Sequence, residues 1–200
     1  MTYAVVDVET TGLDLATDRI IEIGIVLLSD SLEQSGYFHS LIDPQRSITA
    51  QHIHHISSAM VADAPSFALV VERVAKVLDG QIIVAHNAPF DLGFLNAEFA
   101  RAQAEISIDR ANAVCTLDQS RIYCPEGSHS LVGLAARMGI ETPVAHRALA
   151  DALTCTELFR HYHACEARGH RCVDRAVNRH GDVVTPCEWV WARPWHAHTH

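Results

Sequence analysis

Two acidic side chains close an apolar run near the start of the 200-residue chain. Tyr3 to Glu9 is rich in apolar and β-branched residues, which is typical of a strand buried on both faces. Side chains alternate along a strand, so Asp7 and Glu9 are predicted to point to the same face. Two carboxylates on one buried face are costly unless a cation lies between them. The pair is therefore interpreted as half of a metal site, with a strand end that simply enters solvent as the alternative.

A third acid, Asp91, follows a short apolar strand predicted at 81–85. It lies in the first turn of a predicted helix, close behind Pro89, which suits a first helical position. An acid there can simply compensate the helix dipole. Its place at the carboxyl end of a buried strand is also typical of a ligand site, so both interpretations stay open.

A histidine and a fourth acid, His146 and Asp151, mark the start of the last strong helical pattern. Apolar residues at helical spacing predict this helix from about Ala148 to His163. Residues five apart differ by about 140° around an ideal helix. Both side chains can therefore serve one site only if His146 stands on the entering loop while Asp151 projects from the helix.

The order of the predicted elements indicates an α/β fold. Three strands at 3–9, 20–28 and 36–42 are predicted to pair antiparallel, the second and third through a polar hairpin connection. Thr10, Thr11 and Gly12 suit the tight turn after the first strand, since glycine tolerates positive φ. Helices and short strands then alternate, which predicts a mixed sheet with helices on its faces. All four acids fall at strand ends or helix starts of this fold, which favours a single site.

The formal net charge of −9 excludes the class of nucleic-acid-binding proteins that use a broad basic surface. A polyanionic substrate would therefore need bound cations to neutralise it locally. No apolar run approaches the roughly 20 residues that span a bilayer, and the first residues carry no leader pattern. A cytoplasmic protein without a membrane partner is expected.

The balance of charge changes near residue 165, which divides the chain into a domain at 1–165 and a C-terminal tail at 166–200. The structure and role of this tail are left open. Its Trp189, Trp191 and Trp195 are expected to pack back on the domain, with a docking peptide as the alternative.

With these residues in place, the chain resembles the DnaQ-like, or DEDDh, family of 3′→5′ exonucleases, which have the ribonuclease-H-like fold. Residues 7–12 (DVETTG) are similar to the family's first exonuclease motif, 86–91 (HNAPFD) to its second and 146–151 (HRALAD) to its third. The stretch that begins at 128–131 (SHSL) is similar to a further family segment. The resemblance covers residues 1–165, and the family often has Gly where His55 stands.

The resemblance implies a metal-dependent exonuclease that hydrolyses the terminal phosphodiester bond and releases nucleoside 5′-monophosphates. Two Mg²⁺ or Mn²⁺ ions would be held by Asp7, Glu9, Asp91 and Asp151, and His146 would be the general base. The residues that would contact the substrate are Thr10, Thr11, Gly12, Leu13, His86 and Asn87. Hard cations prefer oxygen ligands, and two of them suit an in-line displacement at phosphorus, so these residue types fit the implied chemistry.

The expected partner is the 3′ end of a single-stranded nucleic acid. The general resemblance to polymerase proofreading subunits favours DNA, in proofreading or repair, and makes a DNA polymerase a candidate partner. An exoribonuclease that trims RNA is the alternative, because discrimination depends on contacts near the 2′-OH that the sequence does not declare. A non-catalytic binding subunit of a polymerase is a further alternative, against which the complete set of acids argues. The oligomeric state is left open.

Overall fold

The structure is a computed structural model that describes residues 1–48, 51–142 and 146–197. Its strands are β1 Tyr3–Thr10, β2 Ile20–Leu28, β3 Gln34–Leu41, β4 Ile82–Ala85, β5 Ala113–Cys115, β6 Ala176–Val177 and β7 Val183–Val184. Its α-helices are α1 Gln51–His54, α2 Ser58–Val61, α3 Phe67–Leu78, α4 Ala88–Arg101, α5 Thr116–Tyr123, α6 Leu131–Met138, α7 Ala148–Ala167 and α8 Glu188–Trp191. A single 3₁₀ turn among the described residues spans Arg110–Asn112.

Five strands form one mixed sheet in the order β3-β2-β1-β4-β5. β1 pairs antiparallel with β2, and β2 with β3, whereas β4 runs parallel to both β1 and β5. The predicted fold class, three antiparallel strands followed by parallel strands and flanking helices, is therefore confirmed. The register places Asp7 opposite Gly24 and Glu9 opposite Glu22.

The alternation along β1 assigns its two faces to two apolar cores. Ala4, Val6 and Val8 pack with α3 and α4 on one face of the sheet. Tyr3 and Val5 pack on the other face with α5, α6 and α7. Because the odd-numbered side chains continue along the same face, Asp7 and Glu9 are directed toward the side of the sheet that α7 covers.

The tail after α7 returns to the domain. Trp189 and Trp195 are 6% and 3% exposed, and they belong to the cores on the two opposite faces of the sheet. Trp195 is also bonded through its backbone to Gly80 and Gln81, at the start of β4. Packing back is thus confirmed for these two tryptophans, whereas Trp191 is 77% exposed.

No helix in the described ranges combines the length and the apolar character that are needed to cross a membrane.

Candidate active site

The first two acids of the site lie on β1, close to where the strand ends. Both side chains are half-buried, and the even-numbered neighbour Val8 is buried on the opposite face. β1 is the central strand of the five, so its carboxyl end is flanked by β2 on one side and β4 on the other. Asp7 and Glu9 therefore stand on a rigid support that is covered on both faces.

Asp91 reaches the same strand from the start of α4. Its side chain is 2% exposed, and its Oδ1 accepts a hydrogen bond from the backbone nitrogen of Val8 at 3.2 Å. Asn87 precedes the helix in the left-handed conformation at φ 82°, and a proline follows in the first turn. This sharp turn out of β4 directs Asp91 back onto the backbone between Asp7 and Glu9.

His146 and Asp151 approach from the other side of the sheet. His146 is exposed on the loop before α7, and Asp151 is 8% exposed in the first turn of the helix, which is the arrangement their spacing requires. The backbone nitrogen of His146 donates to Oδ2 of Asp151 at 3.1 Å. Glu9, His146 and Asp151 each offer a ligand atom within 4.8 Å of the other two, the one such group of metal-binding side chains in the described part of the chain.

The acids carry strongly unfavourable charge in the absence of cations. Burial raises the pKa of Asp7 well above its ordinary value, and the charges of Asp91, Asp151 and Glu9 raise it further. Burial and then Asp151 raise the pKa of Glu9 to about 8. Burial also raises the pKa of Asp91 and of Asp151. A set of buried carboxylate oxygens that repel each other fits hard divalent cations such as Mg²⁺ or Mn²⁺, which prefer oxygen ligands.

The turn after β1 is held by a carboxylate that the sequence pattern did not single out. Asp18 accepts from Oγ1 of Thr11 at 2.8 Å and from the backbone nitrogen of Asp14 at 3.0 Å. A Cβ on Gly12 would lie 2.3 Å from Oδ2 of Asp18. Gly12 does not use the positive φ that glycine tolerates; glycine is needed here because Asp18 approaches so closely.

The residues of this turn that are predicted to contact the nucleotide differ in exposure. Thr10 donates from Oγ1 to the carbonyl of Gly12 at 2.6 Å, and Thr11 is fully buried with its hydroxyl bonded to Asp18, so both hydroxyls are used within the turn. Leu13 is 83% exposed at the tip of the turn. The contact of these residues with a nucleotide stays a prediction.

His86 and Asn87 are both bonded within the chain. The ring nitrogens of His86 lie 3.0 Å from Oγ1 of Thr116 and 3.0 Å from the carbonyl oxygen of His129. Burial lowers the pKa of His86 to about 4, so the ring is neutral at pH 7. Oδ1 of Asn87 accepts from Nη2 of Arg179 in the tail at 2.7 Å. The geometry gives both residues a role in shaping the second motif, and their contact with substrate stays a prediction.

His55 adopts a backbone conformation that favours glycine. Its φ is 58°, in the left-handed region, where the family often has Gly. The preceding His54 is buried, and its Nδ1 accepts from the backbone nitrogen of Ile56 at 3.0 Å. Among the residues described, neither His54 nor His55 belongs to a group of side chains that could bind a metal ion.

Sequence reasoning missed Glu22 and Arg147. Glu22 is fully buried in β2. Arg147, the residue just before α7, donates hydrogen bonds to its carboxylate. The sequence did contain a signal for Glu22, since it is an acid inside the otherwise apolar run 20–28. A buried charge requires a partner, so this position could have been predicted to form an ion pair. The partner itself could not be read from the pattern.

Comparison with known proteins agrees with this geometry. The family model described as Exonuclease, of RNase T type, matches residues 4–159. The DNA polymerase III subunit epsilon of Treponema pallidum (strain Nichols) is 36% identical over 180 residues, which cover 87% of this chain and 82% of the relative. A DNA polymerase III subunit epsilon-like protein of Rhodobacter capsulatus is 37% identical over 196 residues, 92% of this chain but 27% of the relative, so the chain spans about a quarter of that protein.

The solved structure of exonuclease X in complex with 5′ overhanging duplex DNA is also similar. It is 28% identical in sequence and superposes with a TM-score of 0.63, over 84% of this chain and 93% of that chain. The shared architecture is the expected ribonuclease-H-like fold, with the mixed sheet and flanking helices described above.

Proposed function

Since the chain belongs to the exonuclease family and is a 3′→5′ exonuclease, we propose that it removes nucleotides from the 3′ end of single-stranded DNA with the help of two divalent cations. The observation that carries the proposal is the meeting of β1 with the start of α7. Glu9, Asp151 and His146 have ligand atoms within 4.8 Å of one another, and Asp91 is bonded to the backbone of β1 beside them.

Asp7, Glu9, Asp91 and Asp151 would hold two Mg²⁺ or Mn²⁺ ions. Such ions, when bound, stabilise the attacking and leaving oxygens of an in-line displacement at phosphorus. The charge of the acids and of the scissile phosphate is neutralised in the same place, which explains how a chain of net charge −9 can act on a polyanion.

His146 would act as the general base. It is exposed beside Glu9 and Asp151, so a water molecule at the site can reach its imidazole. A neutral imidazole accepts a proton at neutral pH, and this activates the water for attack on the terminal phosphodiester. The product would be a nucleoside 5′-monophosphate.

The turn 10–13 would hold the terminal nucleotide. Thr10 and Thr11 use their hydroxyls within the turn, so contact of the turn with the sugar and base would be through backbone atoms rather than through these hydroxyls. The exposed Leu13 would wedge against the base of the terminal nucleotide. These contacts are independent of base identity, as a proofreading or repair exonuclease requires.

The preference for DNA and a polymerase as partner are supported by the names of the relatives. Two of them are an epsilon subunit and an epsilon-like protein of DNA polymerase III, and exonuclease X was solved with duplex DNA. Single-stranded DNA, primer–templates with a mismatched 3′ end, and short RNA, each labelled at the 5′ end, test the proposal with Mg²⁺, with Mn²⁺ and with EDTA. We expect stepwise shortening of the DNA substrates, release of 5′-monophosphates and no reaction in EDTA.

The same assay discriminates the alternatives. Faster shortening of RNA than of DNA would assign the chain to RNA trimming. Tight binding of single strands without shortening, in either metal, would assign it to the binding subunits of a polymerase. Asp7→Ala serves as the inactive control for contaminating nucleases.

A further inference from the structure

Glu22 lies beside the acids of the site but is absent from the proposed ligand set. It is fully buried, and its partner across the β1–β2 ladder is Glu9. Residues directly opposite each other in an antiparallel pair lie on the same face, so Glu22 faces α7 as Glu9 does. A buried carboxylate next to other carboxylates is strongly unfavourable unless donors compensate it.

Three donors converge on this carboxylate. Arg147 donates from Nη2 to Oε1 at 2.7 Å and from Nε to both oxygens at 3.1 Å. Nε2 of His39 lies 2.7 Å from Oε1, and the backbone nitrogen of Ala148 donates to Oε2 at 3.0 Å. Burial raises the pKa of Glu22, but hydrogen bonds from Arg147, His39 and Ala148 outweigh burial and hold the pKa below its ordinary value. The carboxylate is therefore ionised at neutral pH and fully bonded.

One of these bonds replaces a missing helix cap. Arg147 occupies the N-cap position of α7 and provides no side-chain cap. The first backbone N–H groups of a helix need acceptors, and a negative charge there is favourable. Glu22 supplies that acceptor and that charge to Ala148 from a strand 126 residues away in sequence.

The backbone of β2 meets the same helix start a second time. A Cβ on Gly24 would lie 2.4 Å from the backbone nitrogen of Leu149 and 2.5 Å from the carbonyl carbon of Ala148. Only glycine permits this approach, because an added methyl group would overlap the backbone of α7. Glu22 and Gly24 thus anchor the first turn of α7 on one strand by independent contacts.

The anchored first turn of α7 carries Asp151, and the proposed base His146 lies two residues before that turn. His146 has φ 60°, a conformation that costs free energy for a residue other than glycine and persists only when its surroundings hold it. Arg147 follows directly, and the backbone of His146 is bonded to Asp151. The two residues before α7 are therefore both held, His146 by Asp151 from the helix and Arg147 by Glu22 from the sheet.

We propose that Glu22 is a positioning residue for the hydrolytic reaction: it holds Arg147 and the first turn of α7 on β2 and thereby keeps His146 and Asp151 against Glu9. The inference rests on the proposed roles of His146 and Asp151. Partners that orient the groups of a metal site typically contribute about 10- to 100-fold to metal affinity or activity.

Kinetics of Glu22→Gln, Arg147→Met and the double variant test the proposal. Each single change is expected to lower kcat on single-stranded DNA roughly 10- to 100-fold with KM unchanged. The double variant should lose no more than the more damaging single change, because the two side chains act as one unit. Arg147→Met is on a partly exposed side chain and keeps most of its apolar stem, so it provides a result even if Glu22→Gln folds poorly.

Arg160→Met is the matched control. Arg160 lies within α7, and its side chain has the same 34% exposure as that of Arg147. It also bonds to a residue far away in sequence, in this case through the carbonyl of Leu32 at 3.0 and 2.8 Å. A general loosening of α7 would lower activity in both arginine variants. The proposal expects kcat to fall only in Arg147→Met, with secondary structure retained in both.

Three outcomes would overturn the proposal: kcat values equal to wild type in both single variants, effects that multiply in the double variant, or a rise in KM alone in Arg147→Met, which would mean that Arg147 contacts the substrate itself. Absence of nuclease activity in the wild type would instead defeat the proposed function. Hydrogen exchange at the Ala148 amide then still tests Glu22, since Glu22→Gln should accelerate that exchange and Arg160→Met should not.

Discussion

The backbone nitrogen of His146 donates a hydrogen bond to Oδ2 of Asp151, 3.1 Å away. This bond links the proposed general base, His146, to a proposed cation ligand, Asp151, in one structural unit. His146 lies before the helix, so the pair can serve one site although residues five apart would differ by about 140° on a single helix. This arrangement also means that substitutions at the two positions should have different consequences.

His146→Ala is expected to slow the chemical step by roughly 10²- to 10⁴-fold, the usual contribution of a positioned base. The imidazole is exposed and its backbone N–H, which bonds to Asp151, is kept, so Mn²⁺ affinity and thermal stability should change little. Single-turnover cleavage and calorimetric Mn²⁺ titration measure the two effects. His170→Ala, at an exposed histidine after α7, is the control; a lost Mn²⁺ site in His146→Ala would reassign His146 as a ligand.

Asp7→Asn is expected to abolish hydrolysis and, in EDTA, to raise the melting temperature. Burial and neighbouring acids raise the pKa of Asp7, so its charge opposes folding when no cation is present. An amide of the same shape removes that charge. Thermal unfolding with and without Mg²⁺ gives the check: the wild type should gain more from Mg²⁺ than the variant does. Residual activity in Asp7→Asn would exclude this acid from the mechanism.

The stability of the metal-free protein should contain a pH-dependent contribution from Glu9. Its pKa is raised from 4.5 to about 8, so the folded state binds more protons than the unfolded state between these values. The free energy of unfolding therefore falls as pH rises through this window, and the loss is complete above about pH 8.

Glu9→Gln isolates this contribution from other titrating groups. In EDTA the variant should match the wild type in melting temperature near the acid end of the window and exceed it increasingly toward pH 8. Glu105→Gln, at an exposed acid, should follow the wild type at every pH. A gap between Glu9→Gln and wild type that does not vary with pH would contradict the prediction.

The tail is expected to contribute strongly to stability. Trp195 is 3% exposed, stacks on Phe99 with ring centroids 6.3 Å apart and donates from Nε1 to the carbonyl of Ser107 at 2.8 Å. Trp195→Ala should therefore cost about 3–5 kcal/mol of the free energy of unfolding. Trp191→Ala, at a side chain that is 77% exposed, should cost less than about 0.5 kcal/mol. Urea unfolding compares them, and equal costs would refute the packing described for the tail.

Local rules were sufficient for the parts of the site that depend on one element. Alternation along β1 predicts that Asp7 and Glu9 share a face, and the helical pattern after residue 147 predicts that His146 stands outside the helix. These predictions hold because side-chain direction follows from backbone geometry alone. Element bounds were close, although α7 continues to Ala167 rather than ending near His163, and β3 begins at Gln34 rather than at residue 36.

Relationships between distant segments could not be predicted in this way. The partner of Glu22 is an arginine 125 residues later. Asn87 is bonded to Arg179 of the tail, 92 residues away. Such pairs depend on how the packed layers bring surfaces together, and no periodicity in the chain records that.

The packing of α7 against the backbone of Gly24 also determines when, during synthesis of the chain, the site can be completed. The strand β1, which carries Asp7 and Glu9, is made first, whereas Asp151 arrives on the last long helix of the domain. Contacts between such distant segments form late, because a long loop must close before they add stability. If Asp151 is a ligand as proposed, a nascent chain cannot cut nucleic acid until α7 has left the ribosome and settled on β2.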